Sequence, residues 1–103
     1  MNDTMLTLIG PVEMGVSMAG RLRALRLLKG WTRETLARRA GVTTASLKRF
    51  ENSGKASLEL VLKVAHALDR LEEFNRILQP PPAGTIEELE KRLRQPALKR
   101  GRR

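Results

Sequence analysis

Only two residues, Gly41 and Val42, separate a short apolar stripe ending at Ala40 from Thr43, a residue type that caps helices. So short a connection makes two helices meet at a sharp corner. Thr32 is placed to cap the first of them, in which Leu36, Ala37 and Ala40 share a face. Ala37 is small where the second helix must cross closely, and Gly41 permits the positive φ that ends one helix and starts the corner. Val42 plugs that corner. The next helix is expected from about Thr44 to Asn52, with Leu47 and Phe50 inward and Ser53-Gly54 closing it.

The same punctuation extends on both sides. Ser17 can cap a first helix carrying Met18, Leu22, Leu25 and Leu28 on one face, with Arg21, Arg23, Arg26 and Lys29 on the rest and Gly30 as its stop. Ser57 caps a fourth helix reaching about Asp69, and Leu71, Phe74 and Leu78 at i, i+3, i+7 mark a fifth. Nothing between residues 17 and 79 alternates like a strand, so the fold class is all-α: a five-helix domain over 17–79. Residues 1–16 form an N-terminal arm whose patch Met5–Ile9, broken by Gly10-Pro11, reads either as a strand or as disordered chain. Residues 80–103 are a Pro-rich linker, a short helix opened by the capping-box spacing Thr85 to Glu88 with Ile86, Leu89 and Leu93 as its stripe, and a basic tail.

Composition removes several classes of function. There is no cysteine, hence no disulfide, thiol catalysis or thiolate metal site, and this fits a reducing cytoplasm. One histidine, His66, cannot form an imidazole cluster, so no metal and no cofactor are expected, and it reads as a surface residue. Aromatic residues make up 3% of the chain, too few for a single-strand stacking platform. No apolar run reaches membrane-spanning length, and no basic region precedes the N-terminal apolar patch as in a signal peptide.

Charge is unevenly placed. The net charge is +9, and residues 21–49 hold nine bases against one acid, Glu34, which is the footprint of a polyanion partner. With no histidine and a single carboxylate in that block, no catalytic residues are expected and the chain is not read as an enzyme. The acid pairs Glu72-Glu73 and Glu87-Glu88 flank helix starts, where the helix dipole favours them. Trp31, at a helix junction, reads as core rather than as a stacking surface. Glu51 reads as support for the fold, through a helix end or a salt bridge. Arg38 and Arg39 read equally as phosphate contacts and as solvated surface.

The second helix of the corner presents outward Thr43, Thr44, Ala45, Ser46, Lys48 and Arg49, short or basic side chains suited to a major groove about 12 Å wide. At these residues the chain resembles the Cro/repressor-like (XRE-type) helix-turn-helix family, through Gly30-Trp31-Thr32, Leu36-Ala37, Gly41-Val42-Thr43, Leu47 and Glu51-Asn52-Ser53-Gly54. The resemblance covers about residues 18–79. It implies the lambda-repressor-like fold and a cytoplasmic transcription regulator, a repressor of double-stranded DNA operators. By position it implies base contacts from Thr44, Ala45 and Arg49, with Lys48 able to join them, and backbone contacts from Arg33, Thr43, Ser46 and Asn52. Arg33 stands where the family usually has Gln, which keeps a phosphate donor and leaves the bridge to the recognition helix open. Arg49 is the strongest candidate, because a guanidinium bonds bidentately to guanine.

The proline run, the Ile-Glu-Glu-Leu helix and the Arg-rich end are also similar to antitoxins of the HipB type, which implies an autoregulating repressor in a toxin-antitoxin operon with a HipA-like kinase toxin as partner. A stand-alone phage- or plasmid-type repressor is the alternative. The fourth helix adds an expectation about assembly. Its apolar arc spans about 220°, against the roughly 100° that faces one core. With Leu58, Val61, Leu62, Ala65 and Leu68 assigned to the core, the surplus Leu60, Val64, Ala67 and Leu71 is open to the fifth helix, to the arm or to a second subunit. These four are the expected dimer interface of a homodimer on a palindromic operator.

Overall fold

The computed structural model describes residues 9–95, and every regular element among them is helical. Five α-helices, α1 (Pro11–Leu28), α2 (Arg33–Ala40), α3 (Thr44–Ser53), α4 (Leu58–Ala67) and α5 (Ile86–Arg94), are joined by a 3-10 helix, Leu71–Arg76, between α4 and α5. The core gathers Ala19 and Leu22 of α1, Leu36 and Ala37 of α2, Leu47 and Phe50 of α3, and Val64, Ala65 and Leu68 at α4. The expected all-α domain is present.

Its first helix starts earlier than Ser17. Gly10 is extended, Pro11 occupies the first helical position, and the Gly10 N–H donates to the Glu13 carboxylate at 3.1 Å. The dipeptide that reads as a break is therefore a start: proline needs no N–H donor in a first turn, and Glu13 satisfies an orphan one. Residues 1–8 and the basic tail from 96 onward lie outside the described residues. The inward stripe of α1 also differs from expectation. Leu28 is 82% exposed, whereas Arg26 is 6% exposed. The stripe that meets α3 is Gly15, Ala19, Leu22 and Arg26, and small residues lead it because the chain crosses there at close range. A Cβ on Gly15 would stand 2.8 Å from the Gly54 carbonyl oxygen.

Local caps hold the next three helices where expected. Thr32, Thr43 and Ser57 each accept a hydrogen bond from a first-turn N–H, of Thr35, Ser46 and Leu60 respectively, at 3.0–3.1 Å. Gly41 and Gly54 close α2 and α3 at φ +73° and +78°.

The face of α4 is the main correction. Val64 is wholly buried, Leu60 and Ala67 are half-buried against the same core, and Leu58, assigned inward from the sequence, is 68% exposed. At 100° per residue the true inward arc is rotated by about 80° from the expected one. Helix α2 on one side and the 3-10 helix on the other cover that arc. Val64 is therefore enclosed in the chain's own core, which takes it out of the expected dimer interface, and Leu60 and Ala67 pack partly against that core; of the four, Leu71 stays exposed. The outward face of α4 is instead Leu58, Leu62 and His66, joined by Leu71.

The fifth α-helix expected after Asp69 is a 3-10 helix of six residues, from which only Phe74 packs on the core. Leu78 is 95% exposed at φ +59°. Three residues per turn align Leu71 with Phe74 but put Leu78 off that face.

Candidate nucleic-acid interface

The helix-turn-helix is assembled by backbone geometry first. Gly41 in the left-handed conformation turns the chain, and the Val42 N–H returns to the Ala37 carbonyl at 3.0 Å, so the corner is closed by its own hydrogen bond. Leu47 and Phe50, each at most 2% exposed, fasten the inner face of α3. At 100° per residue, Thr44, Ala45, Lys48, Arg49 and Asn52 then fall within an arc of about 140° on the opposite side. All five are exposed, as are Thr43 and Ser46. The expected base-reading residues thus share one surface with Asn52, and Thr43 and Ser46 are exposed beside it at the start of the helix. Thr43 is partly committed: its hydroxyl caps α3 and donates to the Ser46 hydroxyl at 2.8 Å.

Behind this surface lies a charge cluster that binds three helices together. Arg26 of α1 holds both oxygens of Glu51 on α3, Nε to Oε2 at 2.8 Å and Nη2 to Oε1 at 2.9 Å, and its Nη1 donates to the Trp31 carbonyl at 2.9 Å. Arg33, first residue of α2, adds Nε to the same Oε1 at 2.9 Å. The Glu51 side chain is 1% exposed and that of Arg33 33%. Burial works to raise the Glu51 carboxyl, but the hydrogen bonds and charges of Arg26 and Arg33 outweigh it and hold the group below the ordinary carboxylate range. The bridge from α2 to the recognition helix, open on sequence grounds, is this ion pair. Arg33 uses only its Nε for it; among the described residues no partner occupies its terminal nitrogens, which leaves them to meet a phosphate.

Two further features escaped the sequence reading. Ser46 and Arg49 share a cleft of 220 Å³ with Lys55, Ser57 and Leu60, which brings a further base and the N-terminus of α4 beside the recognition helix. Lys55 directly follows Gly54, and an isolated lysine in a loop carries no periodic signal. Trp31 is half-buried against the core, and its ring lies beneath two cations, Arg39 at 4.5 Å and Lys29 at 5.2 Å from the centroid. Arg39 is therefore engaged with Trp31. Among the described residues no group of acidic or histidine side chains is placed to hold a metal ion, and no helix is long and apolar enough to cross a membrane.

Comparison with known proteins agrees with this geometry. A family model described as helix-turn-helix matches residues 22–74, from the middle of α1 through Phe74 of the 3-10 helix. No match is found among curated proteins or among solved structures. The matched span covers half the chain and contains the whole corner, the Glu51 cluster and the outward face of α3. The chain belongs to the XRE-type helix-turn-helix family of DNA-binding transcription regulators.

Proposed function

We propose that the chain is a sequence-specific repressor of double-stranded DNA that acts in the cytoplasm as a homodimer. The observation that carries this reading is the outward face of α3, on which Thr44, Ala45, Lys48 and Arg49 stand together and exposed while Leu47 and Phe50 fix the helix from behind. In this reading Thr44, Ala45 and Arg49 meet base edges and Lys48 joins them. Arg33, Thr43, Ser46 and Asn52 hold the backbone, with Lys55 added at the far end of α3. The basic block over residues 21–49 supplies the attraction to phosphate. One recognition helix reads few base pairs, so a palindrome read by two copies about 34 Å apart gives a selective site.

The surface proposed for pairing is the outer face of α4 with the 3-10 helix, where Leu58, Leu62 and Leu71 surround His66. Glu59 and Lys63, paired with each other at 3.4 Å, give the same face a polar edge. The antitoxin resemblance rests on residues 80–103, beyond the family match, and adds nothing to the DNA-binding reading. The test is selection of bound duplexes from a random pool by the full chain. A palindromic consensus supports the reading, and an absence of any consensus refutes sequence-specific binding.

A further inference from the structure

Two apolar features lie uncovered on the same chain. The first is α5. Thr85 caps it by accepting from the Glu88 N–H at 3.0 Å, Glu88 accepts from the Gly84 N–H at 2.7 Å, and Arg92 ties it back to the Pro81 carbonyl. The helix is well made, yet its stripe is bare: Ile86, Leu89 and Leu93 are 75%, 47% and 76% exposed. The second is a groove of 240 Å³ between α1 and the 3-10 helix, walled by Met18, Leu25, Phe74 and Ile77 over the largely buried Leu22, and edged by Arg21 and the Arg70–Glu73 ion pair.

The two fit each other in one direction. Along α1 the groove residues follow i, i+4, i+7; along α5 the stripe follows i, i+3, i+7. Read backwards, Leu93, Leu89 and Ile86 have the spacing of Met18, Leu22 and Leu25, and both stripes are about 10 Å long at 1.5 Å per residue. An antiparallel α5 therefore sets Leu93 at Met18, Leu89 at Leu22 and Ile86 at Leu25. The charges follow the same direction. The acidic half of α5, Glu87, Glu88 and Glu90, comes to the end of α1 that carries Arg21, Arg23 and Lys29, and its basic half comes toward Glu13. Antiparallel packing also opposes the two helix dipoles favourably.

The chain's own connection argues against a fold-back. Ile77 is part of the groove, Leu78 is exposed, and the stiff Pro80-Pro81-Pro82 run, about 3 Å per residue, separates the groove from α5, whose stripe stays exposed within its own chain. A second copy meets no such obstacle. Phe74 lines both this groove and the surface toward α4, so the groove continues the face proposed for pairing.

We infer that α5 is an exchanged arm: in the homodimer each chain lays Ile86, Leu89 and Leu93 antiparallel into the groove formed by Met18, Leu22 and Leu25 of the other. Reciprocal exchange closes a two-fold dimer with two identical seams. This inference rests on the homodimer reading, and the test separates the two.

Sedimentation of the full chain as wild type and as Leu62→Glu and Leu89→Glu variants, with cross-linking of a Met18→Cys/Leu93→Cys chain, decides it. The chain has no native cysteine, so every disulfide joins introduced residues, and the Met18→Cys and Leu93→Cys single variants, which can link only like positions, are the controls. The arm exchange requires that Leu89→Glu, at a site outside the core, weaken dimerisation about tenfold or more, the cost of losing a buried leucine contact. It also requires that oxidation give a covalent dimer from the double variant and not from either single variant. If Leu62→Glu gives monomers while Leu89→Glu pairs like wild type, the exchange is wrong and the dimer stands. A disulfide within one chain shows a fold-back and overturns the exchange. Failure to cross-link, as when α5 serves a different protein, overturns it too. A wild-type monomer overturns both readings.

Discussion

Arg33 and Glu51 meet at 2.9 Å across the helix-turn-helix, joining the first residue of α2 to the last turn of the recognition helix. Arg26 reaches the same carboxylate from α1, so the pose of α3 depends on one acid shared by two bases. The cluster sets the tilt at which the outward face of α3 is presented, and Arg33 is at once a strut of that pose and a candidate phosphate contact.

Replacing Arg33 with alanine is expected to weaken binding to all duplexes and to reduce the log–log salt slope by about 0.9, one phosphate contact's worth. Titrations at several salt concentrations check this. An unchanged slope with weaker binding would assign Arg33 to the pose of α3 alone.

Glu51→Ala is expected to cost about 3–5 kcal/mol at neutral pH, because Arg26 is left buried without its partner. The pH dependence has a defined sign. The carboxyl sits below its ordinary value of 4.5 in the folded chain, so its contribution is complete above that value and is lost as acid protonates the folded group. Urea titrations between pH 7 and about pH 3 should show a shallower acid loss for Glu51→Gln than for wild type.

Arg49→Ala is expected to cost about 1–3 kcal/mol on a selected operator and to relax preference at one base pair. Equal losses on operator and random duplex would place Arg49 on the backbone instead.

Two glycines of α1 should respond oppositely to alanine. A methyl group at Gly20 would meet no neighbouring atom within 4 Å, so Gly20→Ala should stabilise by up to about 1 kcal/mol through helix propensity alone. Gly15→Ala meets the Gly54 carbonyl at 2.8 Å and should destabilise despite the same propensity gain. Thermal melts of the two variants compare them directly.

On α4, Val64→Glu and Leu62→Glu should differ in kind. Val64 is fully buried in the chain's own core, so its replacement by a charge should unfold the domain. Leu62 lies on the outer face, and its variant should stay folded and lose only dimerisation. Circular dichroism with sedimentation distinguishes the two outcomes.

The helices were legible wherever their ends are decided within a few residues. Thr32, Thr43, Ser57 and Thr85 each cap the helix that follows them, because a cap needs only a side-chain oxygen and an N–H two or three positions ahead. The outward face of α3 was legible for a similar reason: Leu47 and Phe50 leave a single apolar side. Helix α4 is the opposite case. With apolar residues around most of its circumference, its sequence is compatible with several rotations, and only the packing of α2 and the 3-10 helix selected the one that buries Val64 and exposes Leu58. Arg26 was likewise opaque on its own helix, since what makes its burial tolerable is Glu51, 25 positions away. Sequence alone determined where the helices cap and which family they form; tertiary structure decided which face of each is inside, because burial depends on neighbours that are remote along the chain.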